Sequence, residues 1–235
     1  MRYKVQYYYT IILMCIFAFN NAFAQPQNNT QNSSTTSTNN TAPFEGIIKF
    51  VQETFSDTTY YTYYVKGNKV KIEINEDCKD CDVSDAMLFD LKNQTIIAMK
   101  PSLRMYKDVE IRPYVETKSN DFSIIKNSRN KKKVEGYKCE QWRVKNQKEN
   151  TEITYWVTEG NYSFFEDFLK LWNRSEKQSR YFLQVKSANG FFPILSVERS
   201  TFREKRMKLQ VIKLERKPLE QSIFEIPAEY KNYDN

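Results

Sequence analysis

Beyond Phe44 the chain alternates apolar and polar residues with a period of two. In Lys69-Val70-Lys71-Ile72-Glu73-Ile74, three apolar side chains fall on one face and three charges on the other, as in a strand with one buried side. The same alternation runs through Trp142 and Val144, through Ile153, Tyr155 and Val157, and through Leu209 and Val211. Gly67-Asn68 and Lys92-Asn93-Gln94 supply turns between neighbouring runs. The pattern predicts consecutive antiparallel hairpins in a sheet covered on one side, since a parallel sheet buried on both faces reads as continuous apolar runs. One helix interrupts it. Phe164, Phe165, Phe168, Leu169 and Trp172 recur at helical spacing, with Ser163 and Glu166 placed as a capping box at the start. An aromatic stripe of this kind must be covered. It either closes the concave side of the sheet by packing or walls an apolar hollow that accepts acyl chains or hydrophobic peptides.

The first residues follow a different rule. Arg2 and Lys4 precede an uncharged apolar run over 7–19, which leads into Ala22-Phe23-Ala24 and then Gln25. This is the order of a cleaved export signal, expected over 1–24, and the run falls short of the ~20 apolar residues that span a bilayer. Met14 is a poor fit to lipoprotein processing at Cys15, so that cysteine leaves with the leader. Residues 25–43 are rich in Gln, Asn, Ser and Thr with almost nothing to bury, and predict a disordered tether. The glycosylation triplets at Asn28, Asn32 and Asn39 follow from that composition alone. One domain is expected over 44–235, in a protein exported to the periplasm or cell envelope.

Candidate chemistry is sparse. The chain holds no histidine, which removes the commonest general base near neutral pH together with Ser-His and Cys-His nucleophiles. Adjacent carboxylates at Glu166 and Asp167 do not share a helix face, and Asp80 and Asp82 read as a solvated loop pair. The motif Cys78-Lys79-Asp80-Cys81 has redox or half-zinc spacing, but Cys139 is the one other cysteine of the mature chain, too few for a four-ligand site. Glu76, Asp77, Asp80 and Asp82 crowd the motif with negative charge, which disfavours a reactive thiolate. An oxidising envelope favours a structural disulfide, with Cys78 to Cys81, Cys78 to Cys139 and Cys81 to Cys139 all open. The reading is therefore no enzyme, no metal and no cofactor.

The net charge is +7. Basic residues gather at Lys126, Arg129, Lys131, Lys132 and Lys133, and again at Arg199, Arg203, Lys205, Arg206 and Lys208. They read first as solvated strand faces and second as a contact for anionic lipid headgroups at a membrane surface. Nucleic acid is not a partner expected in the envelope.

Phe44-Glu45-Gly46-Ile47-Ile48-Lys49-Phe50 at the domain start, Tyr64-Val65-Lys66-Gly67-Asn68-Lys69-Val70-Lys71-Ile72-Glu73 and Val134-Glu135-Gly136-Tyr137-Lys138-Cys139-Glu140 resemble a family of exported bacterial proteins, the domain-of-unknown-function family 4412. Trp156-Val157-Thr158 and the ending Ser222-Ile223-Phe224-Glu225-Ile226-Pro227-Ala228-Glu229-Tyr230 are similar to it as well, with Glu229 where a Gly is usual. The resemblance implies a LolA-like fold of α+β class, mainly antiparallel β. In that fold an incomplete, half-open β-barrel has its concave face covered by helices and its interior binds lipid. It brings no catalytic residues. Val70, Ile72 and Ile74 with Phe164, Phe165, Phe168, Leu169 and Trp172 are then the candidate ligand lining. The partner is a lipid or lipoprotein acyl chain, or else an envelope protein bound by a sensor or adaptor whose core is filled.

Overall fold

The computed structural model describes residues 42–76, 82–116, 120–173 and 176–233. The leader and tether readings, together with Cys78 and Cys81, lie outside these residues. The first run of hairpins is β1 (Gly46–Glu53), β2 (Thr58–Lys66), β3 (Lys69–Glu76), β4 (Asp85–Asp90), β5 (Thr95–Lys100) and β6 (Met105–Asp108). A second run follows with β7 (Phe122–Val134), β8 (Tyr137–Asn146) and β9 (Thr151–Glu159). Helices α1 (Phe164–Trp172) and α2 (Lys177–Phe182) then precede β10 (Phe191–Arg199), β11 (Lys205–Arg216) and the short β12 (Lys231–Asn232).

Among the described residues these strands form one large sheet in the order β12-β6-β5-β4-β3-β2-β1-β11-β10-β9-β8-β7. Every pairing is antiparallel except β12 on β6, which is parallel. The first strand of the domain thus pairs with β11, and the two runs of hairpins become one surface at the β1/β11 seam. Gly46 sits on that seam at φ +149°, and a Cβ there would fall 2.0 Å from the Glu215 carbonyl oxygen. The motif requires glycine because the two backbones meet without room for a side chain. Pro193 lacks a backbone donor, and it sits inside β10 at a register shift against β9, where the ladder is already interrupted.

The period-two pattern translates into burial. Val70 and Ile72 of β3, Trp142 and Val144 of β8, and Ile153, Tyr155 and Val157 of β9 are almost completely buried. Strand β4 departs from one-sided cover, with Ala86, Met87, Leu88 and Phe89 all buried. Its second face is covered by Ile226 and Tyr230 of the C-terminal segment, which pack on Ala86, Leu88 and Met99. That cover arrives from more than a hundred residues downstream and leaves no trace in the local pattern.

Helix α1 occupies the predicted residues, but the capping box does not form. Ser163 has helical dihedrals and makes no side-chain cap, because the turn has already begun with Phe165 N–H donating to the Tyr162 carbonyl at 3.0 Å. Glu166 instead accepts from Lys170 one turn on, at 2.6 Å. The helix stops at Asn173, a left-handed residue whose side chain donates to the Arg112 and Pro113 carbonyls.

Candidate functional site: an apolar cavity beside the helices

Two rows of side chains cross the sheet near one end. Register aligns Ile74 with Tyr61, Tyr61 with Phe50, and Phe50 with Val211. The next row aligns Gln52 with Leu209, Leu209 with Ser196, and Ser196 with Tyr155. Opposite them, α1 presents Phe165, Phe168, Leu169 and Trp172, spaced so that all fall on one helical face. Between these walls lies a partly enclosed cavity of about 340 Å³, within the usual size of a small-molecule site.

Ring contacts hold α1 in place. Phe168 meets Phe89 at 5.0 Å and Tyr63 at 5.5 Å between ring centroids, both edge to face. Phe165 meets Phe192 at 4.7 Å and Phe182 at 5.2 Å, so α1 touches β2, β4, β10 and α2. Such pairs add about 0.5–1.5 kcal/mol each beyond area burial. The cavity wall is therefore rigid on its helical side.

Of the lining expected from sequence, Ile74, Phe165, Phe168, Leu169 and Trp172 border the cavity. Val70 and Ile72 lie deeper on β3 as fully buried core, and Phe164 packs against Phe44 and Phe192. Phe50, Tyr61, Tyr63 and Leu209 also border it; of these the alternation in the sequence marked Leu209, and the alignment of all four depends on cross-strand register. Gln178 had no sequence signal, since α2 is a six-residue helix with no clear apolar period.

The polar part of the wall comes from the sheet, with Gln52, Ser196 and Gln210, and from the approach to α2 and its first turn, with Glu176, Gln178 and Ser179. The Gln178 side chain is 7 % exposed, and both its Nε2 and Oε1 are buried without a hydrogen-bond partner among the described residues. Its main-chain carbonyl accepts from the Tyr155 hydroxyl at 2.7 Å. Outside the cavity, Glu149 takes both Arg180 guanidinium nitrogens at 2.7 Å and the Tyr181 hydroxyl at 3.0 Å. The Arg180 hydrogen bonds hold the Glu149 carboxyl below its usual range, whereas burial pushes the nearby Glu198 carboxyl up.

Cys139 is a free, buried thiol on β8, and burial pushes its pKa up to about 11. Part of each basic cluster is engaged within the protein. Lys132 stands 3.9 Å over the Trp156 ring and Lys126 stands 4.7 Å over Trp142. Lys205 and Lys208 both pair with Glu53, and Arg206 donates to Thr151. Among the described residues, no group of three or more Cys, Asp or Glu could hold a metal ion.

A large, mostly antiparallel sheet with two short helices and an apolar hollow defines a β-rich protein with an internal cavity. The chain belongs to the family described as a domain of unknown function, DUF4412, whose model matches residues 44–230. None of the curated proteins matches it in sequence. Among solved structures it is similar to an uncharacterized conserved protein from Thermus thermophilus, at 6% identity and a TM-score of 0.47, covering 79% of this chain and 87% of that one. It is also similar to MucB in complex with MucA(peri), at 11% identity and a TM-score of 0.41, covering 78% of this chain and 54% of that one. A DUF1329 family protein from Desulfovibrio piger aligns at 10% identity and a TM-score of 0.30, covering 76% of this chain and 88% of that one. At such values the functional argument rests on this chain's own residues.

Proposed function

We propose that the protein is an exported envelope protein that holds a single acyl chain, or a ligand of similar apolar character, in the cavity between α1 and the sheet, without catalysis. The observation that carries this reading is the 340 Å³ hollow itself, walled by Phe50, Tyr61, Phe165, Phe168, Trp172 and Leu209. A protein of this size ordinarily fills its interior to crystal-like density, so a persistent apolar hollow is a place for an apolar guest. In this reading the sheet acts as a half-open barrel with α1 lying across its concave face, the leader of 1–24 directs export, and 25–43 tethers the domain.

The end of the sheet beside the cavity supports exchange at a membrane. The turn after β1 carries the fully exposed Phe55, and the turn after β10 carries Phe202 at 82 % exposure. Pairing of Glu53 with Lys208 across the β1/β11 seam puts these tips at the same end. Apolar tips beside cations suit peripheral contact with a lipid surface.

The test is titration with N-phenyl-1-naphthylamine, an uncharged dye that brightens in apolar surroundings. Saturable binding to the native protein is expected, weakened about tenfold or more by Leu209→Trp, which fills the hollow from the sheet side. Absence of dye binding, or equal binding to a filled variant that still melts cooperatively, would replace this reading with an adaptor whose core is closed.

A further inference from the structure

The two edges of the sheet are finished differently. At one, β6 is 4 residues long and β12 is 2, and the C-terminal segment closes that edge. Lys231 N–H donates to the Arg104 carbonyl at 2.9 Å, and Tyr233 N–H to the Tyr106 carbonyl at 2.8 Å. At the other, β7 runs for 13 residues with Ser123 to Lys133 all exposed, about twice the usual strand length. Beyond its ladder with β8, no backbone group of Phe122–Lys133 bonds another backbone group among the described residues. Natural sheets ordinarily shorten or cover such an edge, because its N–H and C=O groups are a template for another strand.

This edge is held in place. Phe122 packs edge to face on Tyr181 at 4.9 Å, Lys126 lies over Trp142 and donates to the Lys186 carbonyl, and Val134 is buried. A register shift between Asn127 and Lys131 bends the strand, with Asn130 bonded to Asn127 and Gln141. It leaves Phe122–Asn127 as an uninterrupted run beside a group of cations. Ile124 and Ile125, on opposite faces of that run, are 39 % and 51 % exposed.

β7 carries Lys126, Arg129, Lys131, Lys132 and Lys133 and no acidic residue. Lys126 and Lys132 are occupied by tryptophan rings, whereas Arg129, Lys131 and Lys133 form no ion pair among the described residues. Lysines on an edge keep copies of one chain apart. A second copy of β7 would set these cations against their like, while a strand of opposite sign is attracted by them. Residues 25–43 of this chain contain no acidic residue to supply one.

We infer that β7 is a docking edge for an extended acidic segment of a protein partner, which adds a strand along Phe122–Asn127 and sets its carboxylates against Arg129, Lys131 and Lys133. No residue of β7 borders the 340 Å³ cavity, so docking and cavity filling are independent.

The probe is a fluorescein-labelled peptide alternating glutamate and valine, added to the full mature protein and followed by anisotropy and by hydrogen exchange with mass spectrometry. Saturable binding and slowed exchange over Phe122–Asn127 are expected. A lysine–valine peptide should bind about tenfold or more weakly, and so should the glutamate–valine peptide N-methylated at every residue, which keeps its charge but loses its backbone donors. Arg129→Glu combined with Lys133→Glu, both at exposed positions, should weaken the acidic peptide by a similar factor while melting as the native protein does. Equal binding of the N-methylated peptide, unchanged binding to the double variant, protection elsewhere in the chain, or no binding overturns the inference. Slowed exchange over β7 in the protein alone at raised concentration would assign the edge to a second copy, and slowed exchange on phosphatidylglycerol vesicles without peptide would assign it to a membrane; either result also overturns it.

Discussion

The Tyr155 hydroxyl donates a 2.7 Å hydrogen bond to the main-chain carbonyl of Gln178, joining the middle of a buried strand to the first turn of α2. Burial holds this phenol well above the usual tyrosine range, so it remains a donor throughout ordinary pH. The bond fixes one wall of the cavity. Tyr155→Phe retains the ring contact with Phe182 but leaves the carbonyl short of a donor. A loss of about 1–3 kcal/mol in urea unfolding is expected, together with weaker dye binding as α2 loosens. Unchanged stability would mean that the helix is held by apolar packing alone.

Two carboxylates next to α2 predict opposite pH slopes. Glu149 has a lowered pKa because of the Arg180 hydrogen bonds, so its contribution is present above the unfolded carboxyl pKa and disappears as pH falls through the folded value. Glu198 has a raised pKa because of burial. Its charged form is the costly one, so stability declines as pH rises from the ordinary carboxyl value toward the raised folded value. At neutral pH, Glu149→Gln should destabilise by about 1 kcal/mol or less, given the partial exposure of the pair, and Glu198→Gln should stabilise. As pH falls below the ordinary carboxyl range the Glu198 difference should vanish while the Glu149 difference should only shrink, which unfolding of the three proteins across that range will show.

Cys139 should be unreactive in the folded protein. Its thiol is buried and free, and a pKa of about 11 leaves little thiolate at neutral pH. Iodoacetamide followed by peptide mass mapping should label Cys139 only after unfolding. A peptide linking Cys139 to Cys78 or Cys81 would contradict this and revive the long-range disulfide; otherwise those two cysteines remain available to one another.

The paired tips should govern membrane contact. Phe55 and Phe202 are both exposed, on turns at the same end of the sheet. Their joint replacement by serine should reduce co-sedimentation with phosphatidylethanolamine and phosphatidylglycerol vesicles several-fold, with stability unchanged because neither side chain is buried. Equal sedimentation would assign the tips to some other contact.

The sheet was legible because its signal is local. Alternation at Val70, Ile72 and Ile74 follows from the pleat, and Phe164 to Trp172 follows from the helical period. The cavity was legible only in part, since α1 displays its aromatic face in the sequence but the facing rows depend on register. Phe50 aligns with Tyr61 of β2 and, through the β1/β11 seam, with Val211, the second a pairing of residues more than a hundred and fifty positions apart. Ser163 and Glu166 have the composition of a capping box, yet the turn begins a residue early and Glu166 binds Lys170 instead. Gln178 was beyond reach: an exposed and a buried glutamine look the same in a chain, and only the packed walls make this one matter.

Native mass spectrometry with organic extraction, applied to the protein purified gently from a bacterial periplasm, tests the central claim most directly. A bound mass that is released into the organic phase, resolves as an acyl compound and disappears in Leu209→Trp is the result predicted here. An apo mass that stays apo after incubation with envelope lipids would contradict it.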